Sequence, residues 1–246
     1  MTLMEYFSQT RGKKLMVGGH RGHASRVREN TLANFEELLA YPQIHYIEID
    51  VQLTADRNAV IYHDADLFPK TGMKGRIRDY SLEQLRAHFE INTLEEAVAW
   101  CKKHGMGIAF EIKLQPYSMW EDRRLLAEAL VNVIRDFDFY QMCFVFGKDY
   151  EMLSWIREMD GAIPIGLIVP FVPKDPVALM EEMGAFLYLN FVDQLSKELV
   201  ERLHSAGYLV DGSVVNTRED LDKALALGVD LVESDDPVTI LEMLGP

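Results

Sequence analysis

The chain has 246 residues, of which 48% are hydrophobic and 26% are charged. That composition excludes a disordered or fibrous chain, and the length suits one large domain. The formal net charge of −14 repels nucleic acid and anionic membrane surfaces, which argues against both as partners. The two cysteines, Cys101 and Cys143, are too few for a disulfide framework.

The first residues of the chain show no targeting signal. Residues 1–14 mix charged and polar side chains and lack the apolar run of a secretory signal peptide. No apolar run along the chain approaches the roughly 18 residues that a membrane-spanning helix needs. The sequence therefore predicts a cytoplasmic protein with no stable membrane insertion.

Nine short apolar runs are typical of β-strands, and helical patterns separate most of them. The runs are Leu15–Val17, Tyr46–Val51, Ala59–Tyr62, Ile108–Ile112, Met142–Phe146, Ile163–Val169, Phe186–Leu189, Leu209–Val215 and Val229–Val232. Helix caps support the pattern, since Thr93 starts a capping box and Ser196 and Thr217 each precede a helical stretch that ends at glycine. This alternation favours a parallel sheet covered by helices.

One of the nine runs differs from the rest. Only residues 52–58 separate Ala59–Tyr62 from the run before it, and a parallel crossover needs a dozen or more residues. We therefore expect Ala59–Tyr62 to return antiparallel as a hairpin, with His63 opposite Asp50. The eight remaining βα units predict an α/β fold, a closed (β/α)₈ barrel in a single domain over residues 1–246. Residues 64–92 form a predicted small inserted lid after the second strand.

Carboxylates stand at the predicted carboxyl ends of two strands, where barrels of this kind carry their sites. Glu48 and Asp50 are two residues apart and face the same way in a strand, and Glu111 and Lys113 repeat the spacing. Carboxylates facing into a barrel are costly unless they bind something positive. Three of them together predict an oxygen-rich site for a hard cation, Mg²⁺ or Ca²⁺.

Histidines lie close to these carboxylates in the predicted fold. His20-Arg21-Gly22 follows the first strand, and His63 follows the hairpin strand. Two imidazoles could share general base and general acid roles, while the Arg21 guanidinium could hold a phosphate by two hydrogen bonds. A zinc site formed by His20, His23 and His63 is the rival interpretation.

An ordered set of motifs resembles the glycerophosphodiester phosphodiesterase family. The motifs are His20-Arg-Gly22, Glu29-Asn-Thr31, Glu48-Ile-Asp-Val51, Val60-Ile-Tyr-His-Asp64, Glu111-Ile-Lys113, Val215-Asn-Thr217 and Gly228-Val-Asp230 through Asp235-Asp-Pro237. The segment from Thr71-Gly-Met-Lys-Gly75 to Ser81-Leu-Glu-Gln-Leu85 resembles the family's usual insertion. Each motif is short, but their order and spacing are specific, and together they span nearly the whole chain.

The resemblance implies a TIM barrel that binds one divalent cation through Glu48, Asp50 and Glu111. It also implies a catalytic pair, His20 and His63, with Arg21 and Lys113 near the phosphate. The chain departs from the family at Ser213-Val214, where Trp-Thr is usual before Val-Asn. Loss of that tryptophan removes an apolar wall of the substrate pocket, which leaves the alcohol group of the substrate open.

Together these observations predict metal-dependent hydrolysis of glycerophosphodiesters to sn-glycerol 3-phosphate and an alcohol, with a small-molecule phosphodiester as substrate. Two alternatives remain at this point. One is phospholipase C- or D-like cleavage of a lysophospholipid or related diester, although no aromatic membrane-docking stretch is obvious in the sequence. The other is a barrel that binds a phosphodiester without turnover.

Overall fold

A computed structural model describes residues 1–113 and 120–245. Its nine strands are β1 (Met16–Gly19), β2 (Tyr46–Leu53), β3 (Ala59–Ile61), β4 (Gly107–Ile112), β5 (Cys143–Gly147), β6 (Ile165–Ile168), β7 (Leu187–Asn190), β8 (Leu209–Gly212) and β9 (Leu231–Ser234). The α-helices of the described residues are α1 (Leu3–Thr10), α2 (Leu32–Glu36), α3 (Phe68–Thr71), α4 (Leu82–Arg86), α5 (Leu94–His104), α6 (Trp120–Asp136), α7 (Tyr150–Met159), α8 (Pro176–Met183), α9 (Lys197–Ala206), α10 (Arg218–Leu227) and α11 (Pro237–Leu244). None of them is long and apolar enough to cross a membrane.

Eight parallel strands close into a barrel. The sheet runs β1-β9-β8-β7-β6-β5-β4-β2, and β1 also pairs with β2, which joins the two ends. Among the nine strands of the described residues, only β3 is antiparallel, and it pairs with β2 outside the closed ring. The predicted (β/α)₈ TIM barrel with one hairpin excursion is therefore confirmed.

The predicted caps lie where the sequence indicates. The Thr93 side chain accepts a hydrogen bond from the Glu96 amide, and the Glu96 carboxylate accepts one from the Thr93 amide, which completes the capping box of α5. Ser196 and Thr217 cap α9 and α10 with a single side-chain bond each, accepting from the amides of Leu199 and Asp220. These caps satisfy amides that the first turn of a helix leaves without partners, so each helix starts at a defined residue.

Alternation along β2 places two kinds of side chain inside the barrel. Tyr46 lies in the lower, apolar layer of the interior, while Glu48 and Asp50 follow on the same face towards the carboxyl end. The intervening residues of β2 face the helices instead. Helix α1, which was not predicted, packs against this lower layer, with the Phe7 ring 6.0 Å from that of Tyr46.

The hairpin register differs from the prediction by one residue. Val51 pairs with Ile61, and the Tyr62 amide donates to the Asp50 carbonyl at 2.9 Å, so Tyr62 rather than His63 lies opposite Asp50. The cause is a five-residue turn centred on Asp56, which Thr54 closes through its backbone and hydroxyl bonds to Asn58. His63 follows the end of the ladder, where strand alternation no longer fixes its direction.

Residues 64–92 contain two short helices, α3 and α4. They bury a small apolar cluster of their own, which is anchored on β3 and consists of Val60, Tyr62, Leu67, Ile77, Leu85 and Ile91. The insertion is thus held to the barrel at its base by residues of the hairpin. It leaves the sheet beside the carboxyl ends of β2 and β4, which we call the mouth of the barrel.

Candidate active site at the barrel mouth

Three carboxylates meet at the mouth. Glu48, Asp50 and Glu111 each present an oxygen, and these oxygens lie within 4.8 Å of one another. The register explains the meeting, because Asp50 on β2 is paired directly with Glu111 on β4. Glu48 and Asp50 are fully buried, whereas Glu111 is partly exposed towards the mouth. The structure therefore brings together the three residues that were predicted to bind a metal.

The two buried carboxylates have different surroundings. Glu48 Oε2 accepts from the Arg21 amide at 2.9 Å, but its Oε1 is buried with no hydrogen-bond partner among the described residues. Burial and the nearby carboxylates raise the pKa of Glu48 well above its usual value. Burial also acts to raise the pKa of Asp50, but the Lys113 ammonium, 2.5 Å away, together with His63 and Arg21 outweighs it and lowers that pKa.

His20 lies at the end of β1 and is oriented by an aspartate. Its Nδ1 is 2.7 Å from Asp235 Oδ1, and its Nε2 is 4.0 Å from Glu48 Oε2. Asp235 is itself fixed by Asn216, whose side chain donates to Asp235 Oδ2 at 2.7 Å and accepts from its amide at 2.9 Å. With Nδ1 engaged, Nε2 is the imidazole nitrogen directed at the carboxylates.

His63 is also oriented by an aspartate, but this aspartate is its neighbour in the sequence. Its Nδ1 is 2.7 Å from Oδ1 of the adjacent residue, Asp64. Lys70 of the insertion lies 3.2 Å from Asp64 Oδ2 and also bonds Glu29. Glu29, His63 and Asp64 form a second group with metal-ligand spacing, but each of these three side chains already bonds a partner, whereas the buried Glu48 Oε1 of the first group has none among the described residues.

Arg21 is held at the mouth by an unusual backbone conformation. Its φ of 56° turns its amide towards Glu48, while its guanidinium bonds both oxygens of Glu29 at 3.2 Å. Its Nε lies 3.7 Å from Asp50 Oδ2. Gly22 makes the turn possible, because a Cβ at this position would lie 1.8 Å from the Asn34 side chain.

Comparison with known proteins decides the affiliation. Residues 20–239 match the model of the glycerophosphoryl diester phosphodiesterase family. The chain belongs to this family. It is therefore an enzyme of the phosphoric diester hydrolase class, as the order of the sequence motifs indicated.

Full-length relatives agree with this affiliation. The glycerophosphodiester phosphodiesterase of Caldanaerobacter subterraneus subsp. tengcongensis is 26% identical, over 94% of this chain and 98% of its own. A phosphodiesterase of Oleispira antarctica, solved with the product sn-glycerol-3-phosphate, shares the fold with a TM-score of 0.83 and 24% identity, covering 94% of this chain and 97% of its own. The glycerophosphodiester phosphodiesterase of Thermotoga maritima has a TM-score of 0.77 and 21% identity, covering 94% and 98%.

The set of three carboxylates, Glu48, Asp50 and Glu111, fits the divalent cation on which glycerophosphoryl diester phosphodiesterases depend. All three donors are oxygens, which hard cations prefer, and the buried Glu48 Oε1 has no partner within the described residues. The rival zinc site is not assembled in the part of the chain that the structure describes. His23 is buried with its Nε2 3.1 Å from Asp236, the residue that caps α11.

Three polar residues beneath the mouth were not predicted. Asp211 and Glu233 are buried on β8 and β9, and the Ser213 hydroxyl bonds the Asp211 carboxylate while accepting from the Glu233 amide at 2.6 Å. Burial raises the pKa of Asp211 to about 7 and that of Glu233 well above its usual value. Where the family usually has tryptophan, this phosphodiesterase thus has a polar network.

Proposed function

We propose that this phosphodiesterase hydrolyses glycerophosphodiesters to sn-glycerol 3-phosphate and an alcohol. The observation that carries the proposal is the convergence of three carboxylates, two aspartate-bound histidines and two cations at one barrel mouth. The Oleispira antarctica phosphodiesterase, whose structure holds sn-glycerol-3-phosphate, shares the fold and supports the choice of substrate.

Glu48, Asp50 and Glu111 would hold one divalent cation, Mg²⁺ or Ca²⁺. When bound, such an ion polarises a phosphoryl oxygen and stabilises charge in the transition state. A cation binds the ionised carboxylate of Glu48, and burial together with the acidic neighbours raises the pKa of this group, so a proton competes with the cation there. Cation affinity should therefore increase as the pH rises through the raised pKa of Glu48.

Arg21 and Lys113 are suited to hold the phosphate. The Arg21 guanidinium is planar and presents two parallel N–H groups, the geometry that phosphate oxygens accept. Its present partner, Glu29, is also bonded by Lys70, so Glu29 retains a cationic partner when the guanidinium turns to a substrate. The Lys113 ammonium lies between Asp50 and Glu111, 2.5 and 2.7 Å from their oxygens, and places positive charge at the carboxylates.

The histidines would move the protons. Each uses Nδ1 to bond an aspartate, which leaves Nε2 free to accept or donate at the reacting atoms. We assign His63 as the base that takes the proton of the nucleophile, and His20 as the acid that protonates the departing alkoxide. The nucleophile is either water or the neighbouring hydroxyl of the substrate, which would give a cyclic phosphate first.

Residues 64–92 are proposed to act as a lid over this site. Lys70 on α3 reaches from the insertion to Glu29 and Asp64, so the insertion is tied to the same group of side chains that orients His63. Positive charge from the insertion would thereby contribute to the attraction of an anionic diester.

A product-resolved assay tests the proposed function. Purified protein with glycerophosphocholine and Mg²⁺ or Ca²⁺ should release sn-glycerol 3-phosphate and choline, and chelation with EDTA should stop the reaction. Glu111→Gln should lower metal-dependent kcat about a hundredfold or more, since it removes a ligand charge. The matched control is Glu121→Gln, because Glu121 is exposed on α6. A stable cyclic phosphate as sole product, or binding without turnover across a panel of diesters, would contradict the proposal.

A further inference from the structure

Large apolar side chains are exposed around the barrel mouth. Of the eight that are exposed in residues 1–113 and 120–245, five lie in segments that leave the sheet at this end. We call these five the apolar rim: Phe68, Trp120, Phe171, Val172 and Phe191. Exposed apolar groups concentrated on one face of a water-soluble fold mark a surface that contacts a protein, a ligand or a lipid.

The most exposed part of the apolar rim is a stiff loop tip. Phe171 is 86% exposed and Val172 is 50% exposed in the loop between β6 and α8. Pro170 and Pro173 flank the two residues and restrict the backbone on both sides. Lys174 follows directly and is also exposed. The tip therefore presents two apolar side chains beside a cation, away from the barrel.

We propose that the apolar rim docks the barrel mouth onto a zwitterionic lipid–water interface. This inference rests on the proposed function, because the phosphodiester of a glycerophospholipid lies at the headgroup depth that a docked mouth would reach. The rim would then give the enzyme access to glycerophosphodiester groups that lipid aggregates display, in addition to free ones. The net charge of −14 disfavours anionic lipids, so phosphatidylcholine is the surface of choice.

The distribution of the apolar rim favours a soft surface over a protein partner. Its members come from four separate segments of the chain rather than from one continuous helix or strand face. Charged residues adjoin its members in the chain, such as Lys174 and Asp175 after the loop tip, and Asp175 is paired with Arg202 at 2.7 Å. Side chains at separate tips can each enter a lipid interface independently, while the charged groups remain in the hydrated headgroup layer.

Sedimentation with phosphatidylcholine vesicles tests docking directly. The wild-type protein should bind the vesicles, and Phe171→Ser or Phe191→Ser should each weaken the partition coefficient about tenfold, since each removes an aromatic ring from the apolar layer. Leu225→Ser is the matched control, because Leu225 is 47% exposed near the end of α10, at the opposite end of the barrel. Wild-type protein that stays in the supernatant, or an equal loss from Leu225→Ser, would overturn the proposal.

A gain of signal provides a second measurement. Tryptophan emission of Phe171→Trp should shift to shorter wavelength when phosphatidylcholine vesicles are added, relative to wild type, while Leu225→Trp should show no added shift. A concentration-dependent dimer that Phe171→Ser abolishes, without vesicle binding, would show that the rim contacts protein and would overturn the proposal. Turnover of glycerophosphocholine without vesicles tests the proposed function separately, so the two failures are distinguishable.

Discussion

The two histidines at the mouth are oriented in different ways. His20 extends from β1 and is bonded by Asp235, which follows β9, so its pair depends on the junction of the first and last strands of the barrel. His63 is bonded by its own neighbour in the sequence, Asp64, on a hairpin outside the ring. The His20 side chain is 14% exposed and that of His63 is 29% exposed.

This difference indicates how each pair can be perturbed. The His20–Asp235 pair is fixed by long-range closure of the barrel and by the hydrogen bond from Asn216 to Asp235. The other imidazole nitrogen of His20 lies 4.0 Å from the Glu48 carboxylate. The His63–Asp64 pair is local, and its further support comes from Lys70 of the insertion. Changes in the insertion should therefore affect His63 and leave His20 in place.

The largest expected effect separates the roles of the two histidines. His20→Ala and His63→Ala should each lower kcat on glycerophosphocholine by about 10²–10⁴-fold, the usual range for general acid–base catalysis. On a p-nitrophenyl diester of glycerol phosphate, whose leaving group needs no proton, His20→Ala should recover most of its activity. His63→Ala should stay impaired on both substrates, because a base is required in either case.

The control for both variants is His104→Ala, since His104 ends α5 far from the mouth and bonds only the Trp100 carbonyl among the described residues. Recovery of His63→Ala instead of His20→Ala on the activated substrate would reverse the two assignments. Equal loss for both variants on both substrates would remove the distinction between acid and base.

A smaller effect is expected from the aspartate partners. Asp235→Asn should lower kcat about tenfold, because the imidazole of His20 loses the carboxylate that orients it. Asp64→Asn should have a smaller effect, since His63 is more exposed and water can replace the lost bond. The ratio of the two kcat values on glycerophosphocholine measures the difference, and a larger loss for Asp64→Asn would contradict it.

Much of the site follows from the two-residue alternation of strands. Glu48 and Asp50 were predicted to share a face because they are two apart in an apolar run, and they do. Glu233 and Asp235 are also two residues apart, but they were not predicted to lie at the end of a strand. The reason is that the last strand was predicted at Val229–Val232, whereas it spans Leu231–Ser234. A shift of two residues was enough to hide the partner of His20.

Other features depend on tertiary contacts that no local pattern contains. The hairpin register depends on how Thr54 closes its turn, so a count of residues predicted it wrongly by one. Helix α1 has a capping box between Thr2 and Glu5, a signal that was available, but its packing against Tyr46 was not. Exposure of Phe171 and Phe191 follows from loop geometry, which is why the apolar rim escaped the sequence analysis.

The smallest expected effect is on stability in acid. The hydrogen bond from His20 lowers the pKa of Asp235, and the bonds from His63 and Lys70 lower that of Asp64 although burial opposes them. A depressed carboxyl pKa stabilises the fold above the unfolded value of about 4, and this contribution disappears as the pH falls through the folded value. Asp235→Asn should therefore reduce the free energy of unfolding at pH 7, by less than about 1 kcal/mol because the group is partly exposed, and by almost nothing at pH 2.

Asp64→Asn should show a still weaker pH dependence. His63 and Asp64 are adjacent in the sequence, so their side chains can also meet in the unfolded chain, which reduces the difference in proton binding between the two states. Asp235 and His20 are 215 residues apart and meet only when β9 closes on β1. Urea unfolding of both variants and the wild type at pH 7 and pH 2 measures the comparison. If Asp64→Asn lost more stability at pH 7 than Asp235→Asn, the local His63–Asp64 pair would contribute more to the free energy of unfolding than the long-range His20–Asp235 pair. That result would contradict the comparison.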